Sequence, residues 1–191
     1  MSIYALIDRE TLDKSSLHIT QLIDKINRVD APIIQYRAKN STTQERIDTL
    51  KIIRKYYNGK IIINDDINAI NYCDGLHIGQ DDIKKFHQDK KEAIKIIREK
   101  ISNKLLGLST HNLDEILEAN SLDLDYIGLG AYRTTKTKKD APLGDNLIEV
   151  AKNSTHKVAL IGGVRLDDIF DKNIISYSVV GSDLYDEFLI V

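Results

Sequence analysis

A chain of 191 residues, 42% hydrophobic and 29% charged, is long enough for one sizeable core, and no Pro-, Gly- or Ser-rich stretch interrupts it, so residues 1–191 read as one domain. Its formal net charge is only −2. Lys-rich segments such as 84–104 are interleaved with Asp and Glu, which excludes a single-sign surface for nucleic acid.

The chain opens on MSIYALIDRE, without a basic leader and with an apolar run too short for a signal peptide. No run reaches the roughly 18 apolar residues that span a membrane. The expectation is a cytoplasmic protein with no membrane and no nucleic-acid partner. Residues 3–7 form the first of eight short apolar runs that read as strands covered on both faces; the others are 33–36, 61–63, 76–78, 105–108, 126–129, 158–161 and 174–180. Helical spacing fills most intervals: Leu17, Ile19, Leu22, Ile23 and Ile26, then Ile47, Leu50 and Ile53, then Ala93, Ile94, Ile97 and Ile101. Between the third and fourth runs there is room for barely two turns, where Cys73, the only cysteine, reads as a small packing residue in a helix. One cysteine allows no intrachain disulfide and fits a reducing compartment. After Ser182 nine residues remain, too few for a full closing helix. A partly bare last strand and a homodimer to cover it are therefore expected. The alternation fits an α/β fold, either a compact (β/α)8 barrel shorter than the usual ~250 residues or a doubly wound open sheet.

Polar residues stand just past the ends of these runs, where both folds collect ligands. In QYRAKN the alternation points Gln35, Arg37 and Lys39 to one side. Then follow Asn64 and Asp65, Gln80 and Asp82, Ser109 and His111, the loop AYRTTKTKKD, Gly162-Gly163, and Gly181-Ser182. Asp65 and Asp82 are candidates to share one hard cation, Mg2+; each pair, Asp65-Asp66 and Asp81-Asp82, equally suits a cap on the following helix, and one Asp of a pair can cap while its neighbour faces the mouth. Arg37 and Lys39, with Lys136, Lys138 and Lys139, set positive charge opposite the metal, the equipment that neutralises a departing diphosphate. The glycines would leave backbone N–H groups approachable at helix starts, which suits a phosphate monoester. His77, on an apolar strand, reads first as a hydrogen-bonded structural residue and second as a substrate contact; His111 has the better claim to acid-base work. Zinc spacing, a Walker A loop and a dinucleotide fingerprint are absent from the sequence.

Taken in order, QYRAKN, NDD, GLHIGQDD, GLSTH, DYIGLGAYRTTKTKKD and LIGGV resemble the thiamine phosphate synthase family over residues 4–182. The resemblance implies the (β/α)8 barrel and a transferase that joins hydroxymethylpyrimidine diphosphate to a thiazole phosphate, releasing diphosphate. It implies that Asp65 and Asp82 ligate Mg2+ and that Arg37, Lys39, Asn64, Ser109 and Lys138 hold the diphosphate. Gln35 would hydrogen-bond the pyrimidine, with His77 and Tyr4 near its ring. Thr135, Thr137 and Gly163, with backbone around Val180 and Gly181, would bind the thiazole phosphate. The chain departs from the family pattern at Thr134, where a proline is usual, with Arg133 beside it. It departs again at Gly181, where a serine is expected unless Ser182 takes that place, and in a final helix that is largely missing. The sister thiazole tautomerase shares the barrel and would use His111 for proton transfer, but it has no need of Asp65, Asp82, Arg37 and Lys39 together. A non-catalytic thiamine-binding barrel would leave those charges without a ligand, which is costly.

Overall fold

A computed structural model of the chain describes residues 2–15, 17–133 and 146–185. Eight strands, β1 Ser2–Asp8, β2 Ile33–Arg37, β3 Lys60–Asn64, β4 Gly75–Ile78, β5 Leu105–Thr110, β6 Tyr126–Leu129, β7 Lys157–Val164 and β8 Tyr177–Val180, pair in chain order. Every pairing is parallel, and β8 returns to β1 to close a barrel, which removes the doubly wound alternative.

Helices α1 Arg9–Ser15, α2 Ile19–Arg28, α3 Thr43–Tyr56, α4 Lys90–Ile101, α5 Leu113–Ala119 and α6 Leu147–Ala151 cover the outside. Their starts are written locally. Thr42 and Glu45 form a reciprocal capping box on α3, and the Asp89 carboxylate accepts from the Lys91 and Glu92 amides to start α4. Ala93, Ile94, Ile97 and Ile101 of α4 are buried together, as their spacing requires.

Alternation is not complete. A 3-10 helix, Ile67–Tyr72, takes the short interval between β3 and β4, and Cys73 caps its end, buried, instead of lying within a helix. Residues 165–176 between β7 and β8 make turns and no helix. The cause is local: Asp168 accepts from the Arg165 amide and Asp171 from the Asn173 amide, and such side-chain bonds compete with helical ones. Ile174 and Ile175 fold back onto the Asp171 carbonyl, so β8 begins only at Tyr177. After β8 the described chain makes a 3-10 turn, Ser182–Leu184. Leu184 and Tyr185 are buried in the core outside the strands, which weakens the reason for expecting a homodimer over a bare last strand. Among the described residues no helix is long and apolar enough to cross a membrane.

Alternate residues of each strand face inward. Tyr4, Ile33, Ile62, Tyr126, Ala159 and Val179 fill the barrel interior, apart from the larger core between strands and helices. Two aromatic rings fit there because β5 and β6 offer glycines beside them. A Cβ on Gly107 would lie 2.2 Å from Tyr126 Cζ, and one on Gly128 would lie 2.8 Å from His77 Cε1. Gly107→Ala is thus expected to overpack the interior and cost about 1–3 kcal/mol in urea unfolding. An unchanged midpoint would mean that the Tyr126 ring has room to yield.

Candidate active site

At the C-terminal ends of the strands a cavity of about 290 Å³ opens, lined from every strand end of the barrel. Gln35, Arg37, Lys39, Asn64, Asp65, His77, Asp82, Ser109, His111, Gly163 and Gly181 all border it, so strand order and register bring eleven of the expected residues together. Tyr4 does not reach the cavity wall: it is 1% exposed and lies beneath the mouth, joined to it through Gln35. Val180 is buried, and its neighbours Val179 and Gly181 line the cavity instead. Thr135, Thr137 and Lys138, with Lys136 and Lys139, lie outside the described residues.

In the first acidic pair one side chain caps and the other faces the cavity. Asp66 caps the 3-10 helix by accepting from the Asn68 amide, and its other oxygen receives Thr43 Oγ1 at 2.9 Å and Arg46 Nη1 at 2.8 Å. Asp65, at φ 60°, turns its carboxylate to the cavity, where Oδ1 accepts from the Gly79 amide at 2.9 Å and Oδ2 from Asn64 Nδ2. A short polar side chain tolerates this left-handed backbone. In the second pair neither side chain caps: Asp81 is exposed and pairs with Lys84, while Asp82 turns inward and is met by Lys85. A Cβ on Gly79 would sit 3.2 Å from Asp82 Oδ2 and 3.7 Å from Asp65 Oδ1, so both carboxylates converge on the space that this glycine leaves open. Burial first, and then the neighbouring Asp82 charge, raise the Asp65 carboxyl above its ordinary range, with Lys39 and the Gly79 amide opposing. Two oxygen donors that repel each other across an open space fit a hard divalent cation. Among the described residues no group of three His, Cys, Asp or Glu side chains is placed to hold a metal ion.

On the cationic side, Arg37 is paired with Asp8 and lies 3.6 Å from Glu10, which supplies the partner that a charge at the end of an apolar strand needs. Asp8 was open to the same reading as the other residues just past strand ends, and its Oδ1 also accepts from the Thr11 amide and hydroxyl. The His111 ring meets Glu115 of α5 at 2.9 Å, an orienting contact one helical turn away. His77 is stacked on Tyr126 with centroids 5.6 Å apart, and burial pulls its pKa down to about 4, so the ring is neutral at pH 7.

The glycine pair is placed differently from the expectation. Gly162 and Gly163 have φ of 95° and 63° and form an irregularity at the end of β7, where the register to β8 shifts, and no helix follows them. A Cβ on Gly162 would lie 2.7 Å from Ala131 Cα. Arg133 crosses this point: its amide donates to the Gly162 carbonyl at 2.8 Å, and its guanidinium reaches the Gly163 carbonyl and pairs with Asp168. Gly181 precedes the three-residue 3-10 turn and borders the cavity with Ser182.

A closed parallel barrel whose strand ends surround one cavity with paired carboxylates, cations and small residues is a (β/α)8 barrel with a charged mouth. Residues 3–179 match the model of the thiamine monophosphate synthase family, and the chain belongs to that family. It is 34% identical over 178 residues to a thiamine-phosphate synthase of Persephonella marina, covering 90% of this chain and 80% of the relative. It is likewise 34% identical over 180 residues to one of Clostridium botulinum, covering 90% and 79%. The barrel superposes on a thiamine phosphate pyrophosphorylase from Pyrococcus furiosus with a TM-score of 0.74, at 21% identity, over 98% of this chain and 91% of the other. A tryptophan synthase alpha-subunit mutant from Pyrococcus furiosus also superposes, with a TM-score of 0.64 at 15% identity over 96% and 88% of the two chains, so the barrel alone does not select a chemistry.

Proposed function

We propose that this chain is a thiamine phosphate synthase, a transferase that moves the hydroxymethylpyrimidine group from its diphosphate to thiazole phosphate. The observation that carries the reading is the convergence of Asp65 and Asp82 over Gly79, in one cavity with Arg37 and Lys39. The sister tautomerase handles no diphosphate and has no use for that set.

In this reading Asp65 and Asp82 hold Mg2+, which when bound neutralises charge on the diphosphate. Arg37, Lys39, Asn64 and Ser109, with Lys138 from the loop, grip the diphosphate oxygens as their charge grows. Arg37 does so while held from behind by Asp8, so it enters pre-oriented. Gln35 holds the pyrimidine, and His77 forms the neutral wall beside it. A pyrimidine-methyl cation, stabilised by its own amino group, is left for the thiazole nitrogen to attack. Thr135, Thr137, Gly163 and the backbone near Val180 and Gly181 hold the thiazole phosphate so that this attack is in reach. The partners are two small molecules, and the reaction belongs in the cytoplasm, where Cys73 stays reduced.

The test is to mix the purified protein with hydroxymethylpyrimidine diphosphate, thiazole phosphate and Mg2+ and to follow thiamine monophosphate. Product is expected with the metal, is lost on addition of EDTA and returns with excess Mg2+. Folded protein that makes no product would overturn the reading.

A further inference from the structure

Below the mouth, hydrogen-bonding side chains continue across the barrel interior from Asp65 to Ser109, and the direction of each bond follows from the one before it. Asn64 turns its amide nitrogen to Asp65 Oδ2, while the Gly79 amide donates to Oδ1 of the same side chain. Its Oδ1 then faces Gln35 at 2.7 Å and takes a proton from Gln35 Nε2. That leaves Gln35 Oε1 toward the Tyr4 hydroxyl at 2.8 Å. Tyr4 has one proton and uses it there, so its 2.8 Å contact with the Tyr126 hydroxyl requires Tyr126 to donate. Tyr126 has then no proton for His77 Nδ1, 3.1 Å away, and this nitrogen must carry one. The ring is neutral, so Nε2 is bare and accepts from Ser109 at 3.0 Å. The reverse polarity would set the Asn64 carbonyl oxygen against the Asp65 carboxylate.

We infer that Tyr4 and Tyr126 are positioning residues of a one-directional hydrogen-bond chain that starts at the Asn64 amide on Asp65, holds His77 as its Nδ1–H tautomer and draws the Ser109 proton away from the cavity. Both tyrosines are buried in the interior that Gly107 and Gly128 leave open, away from bulk solvent. Together with the function proposed above, on which this step rests, Ser109 can serve a diphosphate oxygen only by withdrawing its proton from His77. The occupant of the mouth and the tautomer below it are thereby linked.

The tautomer is read from long-range ¹H–¹⁵N correlation spectra of ligand-free protein labelled at histidine, with the His77 signals assigned by their loss in His77→Gln. The parent is expected to show Nδ1 protonated and Nε2 bare. In Tyr4→Phe neither neighbour of the His77 ring is altered, yet Tyr126 loses its acceptor and turns its proton to Nδ1, so the pattern is expected to exchange to Nε2–H. Packing alone would not move it. If Tyr4→Phe does not fold, Asp65→Asn is the second variant: an amide at the head of the chain can donate or accept, and the single tautomer is expected to give way to both. Nε2 protonated in the parent, or Nδ1–H unchanged in every folded variant, would overturn the inference. Because no substrate or metal is present, that outcome is independent of whether the protein makes thiamine monophosphate.

Discussion

Asp65→Ala is expected to lower Mg2+-dependent formation of thiamine monophosphate by roughly three orders of magnitude, since metal stabilisation of a departing diphosphate contributes several kcal/mol and each ~1.4 kcal/mol is tenfold. Among the described residues the other carboxylate over Gly79 is that of Asp82, and it is already met by Lys85. Removing the side chain relieves the repulsion from Asp82 but also takes the acceptor from the Gly79 amide and Asn64 Nδ2 and leaves Ala at φ 60°, so the loss of turnover is read beside the stability of the variant. The measurement is turnover against Mg2+ concentration, with thermal unfolding of the same preparation beside it. Turnover equal to that of the parent would remove the metal from the proposed function.

Arg46→Ala is expected to cost stability heavily, about 3 kcal/mol, at the lower end of what breaking a buried ion pair costs. For a chain of this size that is a fall of about 6–12 °C in melting temperature. Arg46 ties three elements together. It donates to Asp66 at 2.8 Å, to the Ala38 carbonyl at 3.0 and 2.8 Å, and to the Lys39 carbonyl at 3.2 Å. Its side chain is 17% exposed and that of Asp66 only 6%, so solvent screens the pair little. Arg46→Lys keeps the charge but cannot reproduce the planar fork, and is expected to recover only part of the loss. A fall below about 1 kcal/mol for Arg46→Ala would mean that water replaces the guanidinium, as at exposed pairs.

The local features of this barrel were readable because they are local. Seven of the runs lie within their strands, since a strand buried on both faces is apolar along most of its length. The run over 174–180 was read too long because Ile174 and Ile175 are as apolar as a strand residue, but their amides go to Asp171. The turns over 165–176 are equally invisible in the letters, because only the folded chain shows the Asp168 and Asp171 side chains accepting from the Arg165 and Asn173 amides. Gln35 and Arg37 follow from strand alternation, because side-chain direction in a strand repeats every second residue; Lys39 does not, since β2 ends at Arg37 and Lys39 reaches the cavity from the turn beyond it.

Length, composition and spacing by themselves determined an α/β chain with eight buried strands and a polar residue set at their C-terminal ends, and the motifs in their order pointed to the family. Each depends on neighbours a few residues away, and so is written in consecutive letters. Tertiary structure alone decided that β8 closes on β1, that Asp65 and Asp82 meet over Gly79, that Arg37 is partnered by Asp8, and that Tyr126, 49 residues from His77, lies within hydrogen-bond reach of its ring. These relations join residues on different strands. Their distances are set by barrel closure and register, which no stretch of chain specifies before the whole sheet has formed.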